Sequence, residues 1–361
     1  MSWGHFWVYP KVTIIWVNFN SFEFIDLTLE SLEAVENLDY PNYELIMVDN
    51  RSNDGSYELL RGFLEKSRIN FRIIRLERNL GFTGGSNAGY SSRSEDSKYV
   101  VLLNNDAIPR KESLTELVNL IEADERLGAV QGVILNYDEK SIDTAGDYLS
   151  ELFEATSLLQ GKPPESLKKP VFATSPDAAY SILRVKAIQK MSNQRDQVFE
   201  NYLFAHLDDH ILGLKLWCNG FRVQVFPIIM AKHNRGASIK RVSVLHTYLG
   251  IRNLLILNEI SNSRHKNLVK FLCFRRFSEI LFSRIFGFGD AKAMGMLSAV
   301  SKGFLDGVRI GRYRRCIGER IDIYKAPILK VSPMEASIMT AVSPSFSYQR
   351  LEHELCKIAA C

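Results

Sequence analysis

Polar residues that end an apolar run are the first candidates for chemistry in this chain. The run YVVLL, residues 99–103, is followed by Asn104, Asn105 and Asp106. A short apolar run that stops at polar residues predicts a central, buried strand of a parallel sheet. Ligands of open α/β sheets bind just beyond the carboxyl ends of such strands. Asp106 is therefore predicted at a functional edge, where its oxygens suit a magnesium or manganese ion that bridges a diphosphate.

Two earlier apolar runs, residues 11–17 and 43–48, also end in polar side chains. The candidates that follow them are Asn18, Asn20, Asp49, Asn50 and Ser52. Because parallel strands end at the same edge of a sheet, these residues and Asp106 are predicted to share a pocket, in which Asp49 could accept hydrogen bonds from a ribose or a nucleobase. For Asn20 and Asn50 a helix cap or a turn is the open alternative.

A glycine-rich segment, residues 79–89 (NLGFTGGSNAG), follows the strand predicted over 71–76. It is predicted to be a turn that opens a helix, in which glycine allows close backbone approach. The segment does not fit GxGxxG with a downstream acid, nor GxxxxGK[ST]. The sequence therefore disfavours a dinucleotide-binding fold and a P-loop.

Strand-like and helix-like patterns alternate from residue 11 to about residue 135. Further strands are predicted over 128–135, 171–184 and 221–226, and helices near 24–35, from 57, over 111–124 and after 208. Such βαβ alternation predicts a parallel sheet with right-handed crossovers. The chain has 361 residues, of which 46% are hydrophobic and 24% charged. This suits one large α/β domain with an extension.

Two further sites carry groups that could take part in catalysis. The adjacent carboxylates Asp208 and Asp209 precede a helical stretch, where they are either a general base aimed into the pocket or charges favoured by the helix dipole. His233 follows a strand. It is either a ligand or a packing residue.

The basic residues are concentrated between 264 and 315, although the formal net charge of the chain is only +4. Residues 271–286 alternate large apolar side chains with arginines, which is typical of an interfacial helix on an anionic membrane or of a helix with a solvated basic face. Nucleic acid is not expected as a partner, because no binding motif accompanies the basic residues.

The five cysteines lack a CxxC pair. They indicate neither a disulfide framework nor a zinc site, and they fit a cytoplasmic location. Residues 1–10 do not resemble a signal peptide, and no apolar run is long enough to span a membrane.

The motifs together resemble family-two glycosyltransferases with a GT-A fold, in particular the rhamnosyltransferase-like branch. The resemblance follows the family's order over about residues 11–255. Its segments are 12–20, 48–56, 79–89, 102–106, 207–209, 220–223, His233 and 248–253.

The resemblance implies an α/β fold of the GT-A type, a Rossmann-like, mixed and mainly parallel sheet flanked by helices, over residues 1–260. Residues 261–361 are then a basic, mainly helical extension that could contact a membrane surface or a second subunit. The implied cofactor-binding residues are Asn18, Asn20, Asp49, Asn50, Ser52, Asn79, Gly81, Phe82, Gly85, Asn87, Asn104, Asn105 and Asp106. Asp106 and His233 are the implied metal ligands, and Asp209, with Asp208, is the implied base.

The chain departs from the family pattern at four places. Asn104 replaces the first acid of the metal-binding DxD motif, and Ile211 stands where a third acid often follows the acidic pair. Lys215 replaces an arginine, and Ala178-Ala179 replaces Gly-Ala. These departures concern sugar and acceptor recognition more than the type of reaction.

The predicted function is an inverting glycosyltransferase that uses a nucleoside-diphosphate sugar and Mg²⁺ or Mn²⁺. Its acceptor is a hydroxyl of a glycan or a lipid-linked oligosaccharide, which fits a location at the cytoplasmic face of a membrane. Two alternatives stay open: a sugar-nucleotide-binding scaffold without activity, and a nucleotidyltransferase. The turn NFNS at residues 18–21 lacks the basic loop that the latter needs.

Overall fold

A computed structural model describes residues 9–192, 196–235, 244–285 and 293–332, together with Glu335, Leu355 and Ile358. The predicted absence of a signal peptide concerns residues that lie mostly outside this part of the chain. The helices are α1 (Ile25–Glu36), α2 (Ser56–Leu64), α3 (Gly81–Ser91), α4 (Ser113–Glu122), α5 (Val185–Met191), α6 (Asp208–Cys218), α7 (Val244–Ile260), α8 (Lys266–Ile285) and α9 (Ala293–Cys316).

The first six strands carry the predicted alternation. They are β1 (Val12–Asn18), β2 (Tyr43–Asp49), β3 (Phe71–Arg75), β4 (Tyr99–Asn104), β5 (Ala107–Pro109) and β6 (Leu127–Asn136). The later strands are β7 (Ile142–Thr144), β8 (Asp147–Ser150), β9 (Ala155–Ser157), β10 (Val171–Phe172), β11 (Tyr180–Arg184), β12 (Arg222–His233) and β13 (Ile328–Leu329).

One mixed sheet organises the fold, in the order β10-β12-β6-β11-β4-β1-β2-β3. Strands β4, β1, β2 and β3 are parallel neighbours, and their buried apolar residues form two clusters, one on each face of the sheet. Strand β11 lies antiparallel between β4 and β6. The prediction of a mixed α/β sheet flanked by helices is confirmed, and the parallel strands bring the ends of β1, β2 and β4 to one edge.

One local prediction is wrong, and another is correct only in part. Residues 171–184 form two strands instead of one, because Pro176 between β10 and β11 has no amide to donate and the Asp177 amide donates to the Gln131 side chain instead (2.7 Å). The glycine-rich segment opens a helix, as predicted, but it is helical from Gly81 onward, so that only Asn79 and Leu80 precede the helix. Its glycines serve close packing, since a Cβ on Gly89 would lie 2.7 Å from Ile15.

The C-terminal helices pack directly on the α/β part of the chain. A third apolar cluster joins Leu149, Ile211 and Leu255 to Ile323, and β13 pairs in parallel with β8. The predicted boundary at residue 260 therefore crosses a shared core, and the division into two domains stays a prediction. No helix among the described residues is both long and apolar enough to cross a membrane.

Candidate active site

A cavity of about 380 Å³ opens at the carboxyl end of β4, beside the first turn of α6. It contains a group of acids and histidines and a partly apolar rim. The lining residues with ionisable side chains are Asp106, Asp147, Asp177, His206, Asp208, Asp209, His210, His233, Arg235 and His246. Six residues predicted from the sequence line it: Phe82, Asn104, Asp106, Asp208, Asp209 and His233.

His233 joins two carboxylates at one side of this cavity. Strand β12 pairs with β5 so that His233 lies opposite Ala107, next to Asp106. The Nε2 atom lies 3.0 Å from Asp106 Oδ1, and Nδ1 lies 2.8 Å from Asp143 Oδ2. Burial favours the neutral imidazole, but hydrogen bonds to Asp106 and Asp143 outweigh it and raise the pKa of His233 to about 9. His233 is thus the imidazolium at neutral pH.

Arg235 binds two carboxylates that the sequence patterns did not indicate. Its Nε donates to Asp143 (2.7 Å) and its Nη2 donates to Asp177 (2.5 Å). The Asp177 carboxylate also accepts from the Ala179 amide (2.8 Å). Although burial alone would raise it, the charges of Arg235 and His233 and these hydrogen bonds lower the pKa of Asp177. Asp177 is therefore an ionised group in the cavity.

The acidic pair begins α6, as the sequence predicted. Asp209 is half-buried, and its Oδ2 has only a long contact to the Ala178 amide (3.5 Å). Its Oδ1 is buried and has no hydrogen-bond partner among the described residues. Burial, and then the charges of Asp208 and Asp177, raise the pKa of Asp209 well above its usual range. Asp209 is thus a carboxylate whose proton affinity is increased, as a general base requires.

Two neighbours of Asp209 also keep their protons more readily than ordinary carboxyls. Burial raises the pKa of Asp208 to about 6. Burial and the charge of Asp177 raise the pKa of Asp147 to about 7. Crowding of acids in a buried space causes all three shifts, because ionised carboxylates repel and lose hydration there.

The polar residues at the ends of β1 and β2 form a closed network. Asn18 donates to Asp49 Oδ1 (3.1 Å) and Ser52 Oγ (3.1 Å). The Ser52 amide donates to Asp49 Oδ2 (3.0 Å), and Arg75 lies 3.4 Å from the same oxygen. Asp49 is fully buried. A nucleoside contact by Asp49 stays a prediction, and it requires this buried carboxylate to become accessible.

Several other predicted cofactor-binding residues hold loops in place. Asn50 donates to the Gly81 carbonyl (2.9 Å) and accepts from the Leu80 amide (3.2 Å). Asn87 accepts from the Val198 and Phe199 amides (both 2.9 Å). The remaining contacts are Asn79 Oδ1 with the Gly81 amide, Asn20 Oδ1 with the Asn53 amide, Asn105 Nδ2 with Asn18 Oδ1, and Gly85 against Val17. Donor contacts by these residues stay predictions.

The described residues contain no group of three or more His, Cys, Asp or Glu placed to hold a metal ion. Asp106 and His233 bond to each other instead. Mg²⁺ and Mn²⁺ commonly take one or two protein carboxylates and complete their shell with water and substrate phosphates. Asp106, buried at the cavity wall, therefore fits a single carboxylate ligand for an ion that arrives with a diphosphate.

Sequence reasoning missed Asp143, Asp147, Asp177 and Arg235. They come from segments after residue 136, where short strands replace the regular alternation. Their sequence spacing carries no signal, because the pairing of β7, β8, β11 and β12 with other strands brings them together.

A family model described as glycosyl transferase family 2 matches residues 13–190. Over these residues, just under half of its length, the chain matches glycosyltransferase family 2. The matched segment contains the edge of β1, β2 and β4 and ends before α6. The family prediction is confirmed, whereas the rhamnosyltransferase-like branch stays a prediction.

The curated proteins similar to this chain match only part of it. An uncharacterized glycosyltransferase of Haemophilus influenzae is 29% identical over 140 residues, which are 38% of this chain and 41% of that protein. The chain spans less than half the length of the curated relatives it matches.

Two solved structures share the fold. TarS 1–349 of S. aureus, in complex with UDP-GlcNAc, is 17% identical with a TM-score of 0.50, covering 86% of this chain and 92% of that one. The mannosyltransferase PcManGT of Pyrobaculum calidifontis, in complex with GDP-Man and Mn²⁺, is 15% identical with a TM-score of 0.51, covering 98% and 86%. At these identities the likeness concerns the fold alone, and it confirms the GT-A-type prediction.

Proposed function

We propose that this protein is an inverting glycosyltransferase that moves a sugar from a nucleoside-diphosphate sugar to a hydroxyl of a glycan or lipid-linked acceptor. The observation that carries the proposal is Asp209, a half-buried carboxylate with a raised pKa and one oxygen that has no hydrogen-bond partner in the described part of the chain, at a cavity whose wall also holds Asp106. Asp209 as the base and Asp106 as the residue near the donor diphosphate would thus line the same cavity, whose volume is typical of ligand pockets.

Asp209 takes the proton of the acceptor hydroxyl as the oxygen attacks the anomeric carbon. The bond from that carbon to the diphosphate breaks on the opposite face, so one displacement inverts the configuration without a covalent enzyme intermediate. Positioned base catalysis supplies about 10²–10⁴-fold of the rate. Asp208 holds the acceptor or assists the base.

A magnesium or manganese ion held by Asp106, and by His233 once its imidazole has given up a proton, would neutralise negative charge on the leaving diphosphate. While His233 stays protonated, it and Arg235 are positively charged groups of this chain near that position, and both face the acids of the cavity. The PcManGT complex contains Mn²⁺ together with GDP-Man, which supports a metal-assisted reaction here.

The donor is expected to place its nucleoside at the ends of β1 and β2, near Asn18, Asn20 and Asp49. The comparison proteins are bound to UDP-GlcNAc and GDP-Man, so these two donors form the first test panel. Calorimetry with each nucleoside diphosphate, with and without Mn²⁺, should show metal-enhanced binding of one nucleotide.

Product analysis completes this test. Transfer to a hydroxyl with inversion at the anomeric carbon is the expected result, and retention of configuration would contradict the proposal. Absence of nucleotide binding in both conditions would favour the scaffold alternative. Release of pyrophosphate from a nucleoside triphosphate and a sugar phosphate would favour a nucleotidyltransferase.

We also propose peripheral contact of the basic C-terminal extension with an anionic membrane surface, through α9 and the residues just after it, which would suit a lipid-linked acceptor. The interfacial helix predicted over 271–286 stays a prediction, because many of its side chains lie outside the described part of the chain. Leu305, Tyr313 and Ile317 are 68%, 63% and 56% exposed. The exposed basic residues around them are Lys302, Arg309, Arg312, Arg315 and Arg320. Such a surface binds an anionic membrane in two ways: the apolar side chains insert among the lipids, and the basic side chains attract the anionic headgroups.

Flotation with phosphatidylglycerol vesicles tests this surface. The native chain should bind phosphatidylglycerol vesicles but not pure phosphatidylcholine vesicles. The double variant with Leu305→Glu and Tyr313→Glu should no longer bind phosphatidylglycerol vesicles. Leu59→Glu, at an exposed leucine of α2, is the matched control and should bind as the native chain does. Equal binding by all three proteins would refute the membrane proposal.

A further inference from the structure

The loop that leads into Asp208 and Asp209 has an unusual backbone. Phe204, His206 and Leu207 have φ angles of 67°, 71° and 58°, in the left-handed region that non-glycine residues rarely adopt. Such residues persist only where surrounding contacts hold them. Whatever holds this loop therefore also fixes the start of α6 and the direction of the Asp209 side chain.

Two neighbouring side chains of α7 hold the loop through its carbonyls. Asn253 Nδ2 donates to the carbonyls of Ala205 (2.7 Å) and His206 (2.8 Å), with a longer contact to Leu203 (3.1 Å). Arg252 Nη2 donates to the carbonyls of Tyr202 (2.8 Å) and Leu203 (2.6 Å). Arg252 Nε also donates to Asn253 Oδ1 (2.9 Å), which fixes the orientation of the amide. Both residues are buried.

Helix α3 holds the same loop from the other side. The Thr83 amide donates to the Phe204 carbonyl (3.1 Å). Gly81 makes this approach possible, since a Cβ there would lie 2.3 Å from the Phe204 oxygen. The loop is thus fixed between the glycine-rich helix and α7.

Helix α7 is in turn set by α9. Along α9, Gly303, Gly307 and Gly311 recur every fourth residue and face α7. A Cβ on Gly303 would lie 2.8 Å from the Tyr248 carbonyl oxygen, and one on Gly307 would lie 2.6 Å from the Arg252 carbonyl oxygen. The two helices therefore pack with their backbones close together. The position of Arg252 and Asn253 depends on residues far from the matched family segment.

We infer that Asn253, oriented by Arg252, is a positioning residue that aligns Asp209 for proton abstraction. The inference rests on the proposed role of Asp209 as the base. Asn253 does not line the cavity, so it acts through the loop at residues 203–207 and not on substrate. A displacement of about 1 Å at a reacting group can cost about 10²-fold in rate, which makes this alignment catalytically important.

Asn253→Asp tests the inference with little change in size. The substitution replaces the donating amide with a carboxylate that faces the loop carbonyls. Asn258→Asp is the matched control, because Asn258 is also a buried asparagine of α7 but donates to the Lys266 carbonyl (3.2 Å), away from the loop. The readout is release of nucleoside diphosphate from the donor identified by calorimetry, with its binding measured separately.

We expect Asn253→Asp to lower kcat about 30–100-fold, with donor binding unchanged within about twofold and Asn258→Asp within about twofold of native. In an Asp209→Asn background the further loss from Asn253→Asp should shrink to about twofold, because a misplaced base no longer matters. Asn253→Ala, which removes the donors without adding charge, provides a second variant with the same expectation.

Two results would overturn the inference. The first is an equal loss of kcat in Asn253→Asp and Asn258→Asp, and the second is a full additional loss in the Asp209→Asn background. Failure of the proposed function has a different signature. If Asp209→Asn alone turns over at the native rate, the base assignment is wrong whatever Asn253 does.

Discussion

Two polar regions lie at the same edge of the sheet, and they differ in how their side chains are satisfied. At the ends of β1 and β2, Asn18, Asp49 and Ser52 are fully engaged with one another and with Arg75. In the cavity beside α6, Asp209 has an oxygen without a hydrogen-bond partner among the residues that the structure describes, and the pKa values of Asp147 and Asp208 are raised. The first region gains stability from its contacts, whereas the second carries groups in unfavourable surroundings.

This difference indicates where the chemistry is. Buried polar groups whose hydrogen bonds are all made stabilise a fold. A buried carboxylate that lacks hydrogen bonds lowers stability unless it binds a proton or a cation. Perturbed carboxylates in a cavity are characteristic of functional sites. Substitutions in the first region should therefore change mainly stability, and substitutions in the second should change mainly activity.

The largest effect is expected from Asp209→Asn. Loss of the base should lower kcat about 10²–10⁴-fold while donor binding stays unchanged, as measured by steady-state kinetics and calorimetry. In the native chain kcat should rise with pH across the raised pKa of Asp209, since only the ionised form accepts a proton. The variant should lack this pH dependence. A native rate in the variant would exclude Asp209 as the base.

Asp106→Asn should weaken Mn²⁺-dependent binding of the nucleoside diphosphate about 30-fold, or ~2 kcal/mol. Binding without metal should change little, because the variant loses a charged oxygen ligand and keeps the size of the side chain. Asp143→Asn is the control, since Asp143 also contacts His233 but does not line the cavity. Calorimetry showing the same Mn²⁺ dependence in Asp106→Asn and native chains would exclude the ligand assignment.

The pH dependence of stability should reveal the crowded acids. The pKa of Asp147 is about 7 in the folded chain and near 3.8 when unfolded, so between about pH 4 and 7 the folded state binds more protons. Stability therefore falls as pH rises through that window. His233, with its pKa raised to about 9, extends the fall from about pH 6.5 to 9.

The unfolding free energy of the native chain should fall between pH 5 and 7, and Asp147→Asn should make this fall smaller by about 2 kcal/mol. Urea unfolding at each pH measures both values. His233 and Asp208 should keep the remaining slope. A slope as steep in the variant as in the native chain would show that Asp147 does not titrate in this range.

The smallest effect is expected in the closed network. Asp49→Asn should cost about 1–2 kcal/mol of unfolding free energy, because an amide group would face the donors of Asn18 or Ser52. Glu58→Gln is the control, since Glu58 pairs with the same Arg75 but is exposed, and it should cost less than about 0.5 kcal/mol. Equal costs would remove the contrast between the two regions.

The sequence by itself determined the α/β fold class, the family, and the acids at the strand and helix ends. Apolar runs broken by Asn18, Asp49 and Asp106 are local signals, because strand length and burial follow from neighbouring residues. The pair at Asp208 and Asp209 was equally local, since it marks a helix start. Even the glycine-rich segment was recognised, although its glycines pack a helix and do not form a turn.

Only the tertiary structure decided which of these residues share a cavity and which are internal supports. Asp143, Asp147, Asp177 and Arg235 meet through strand pairings between distant segments, which no spacing in the sequence encodes. The same holds for Asn253, whose donors reach a loop about 50 residues earlier. The pKa values of the acids arise from burial and crowding, which exist only once the chain has folded.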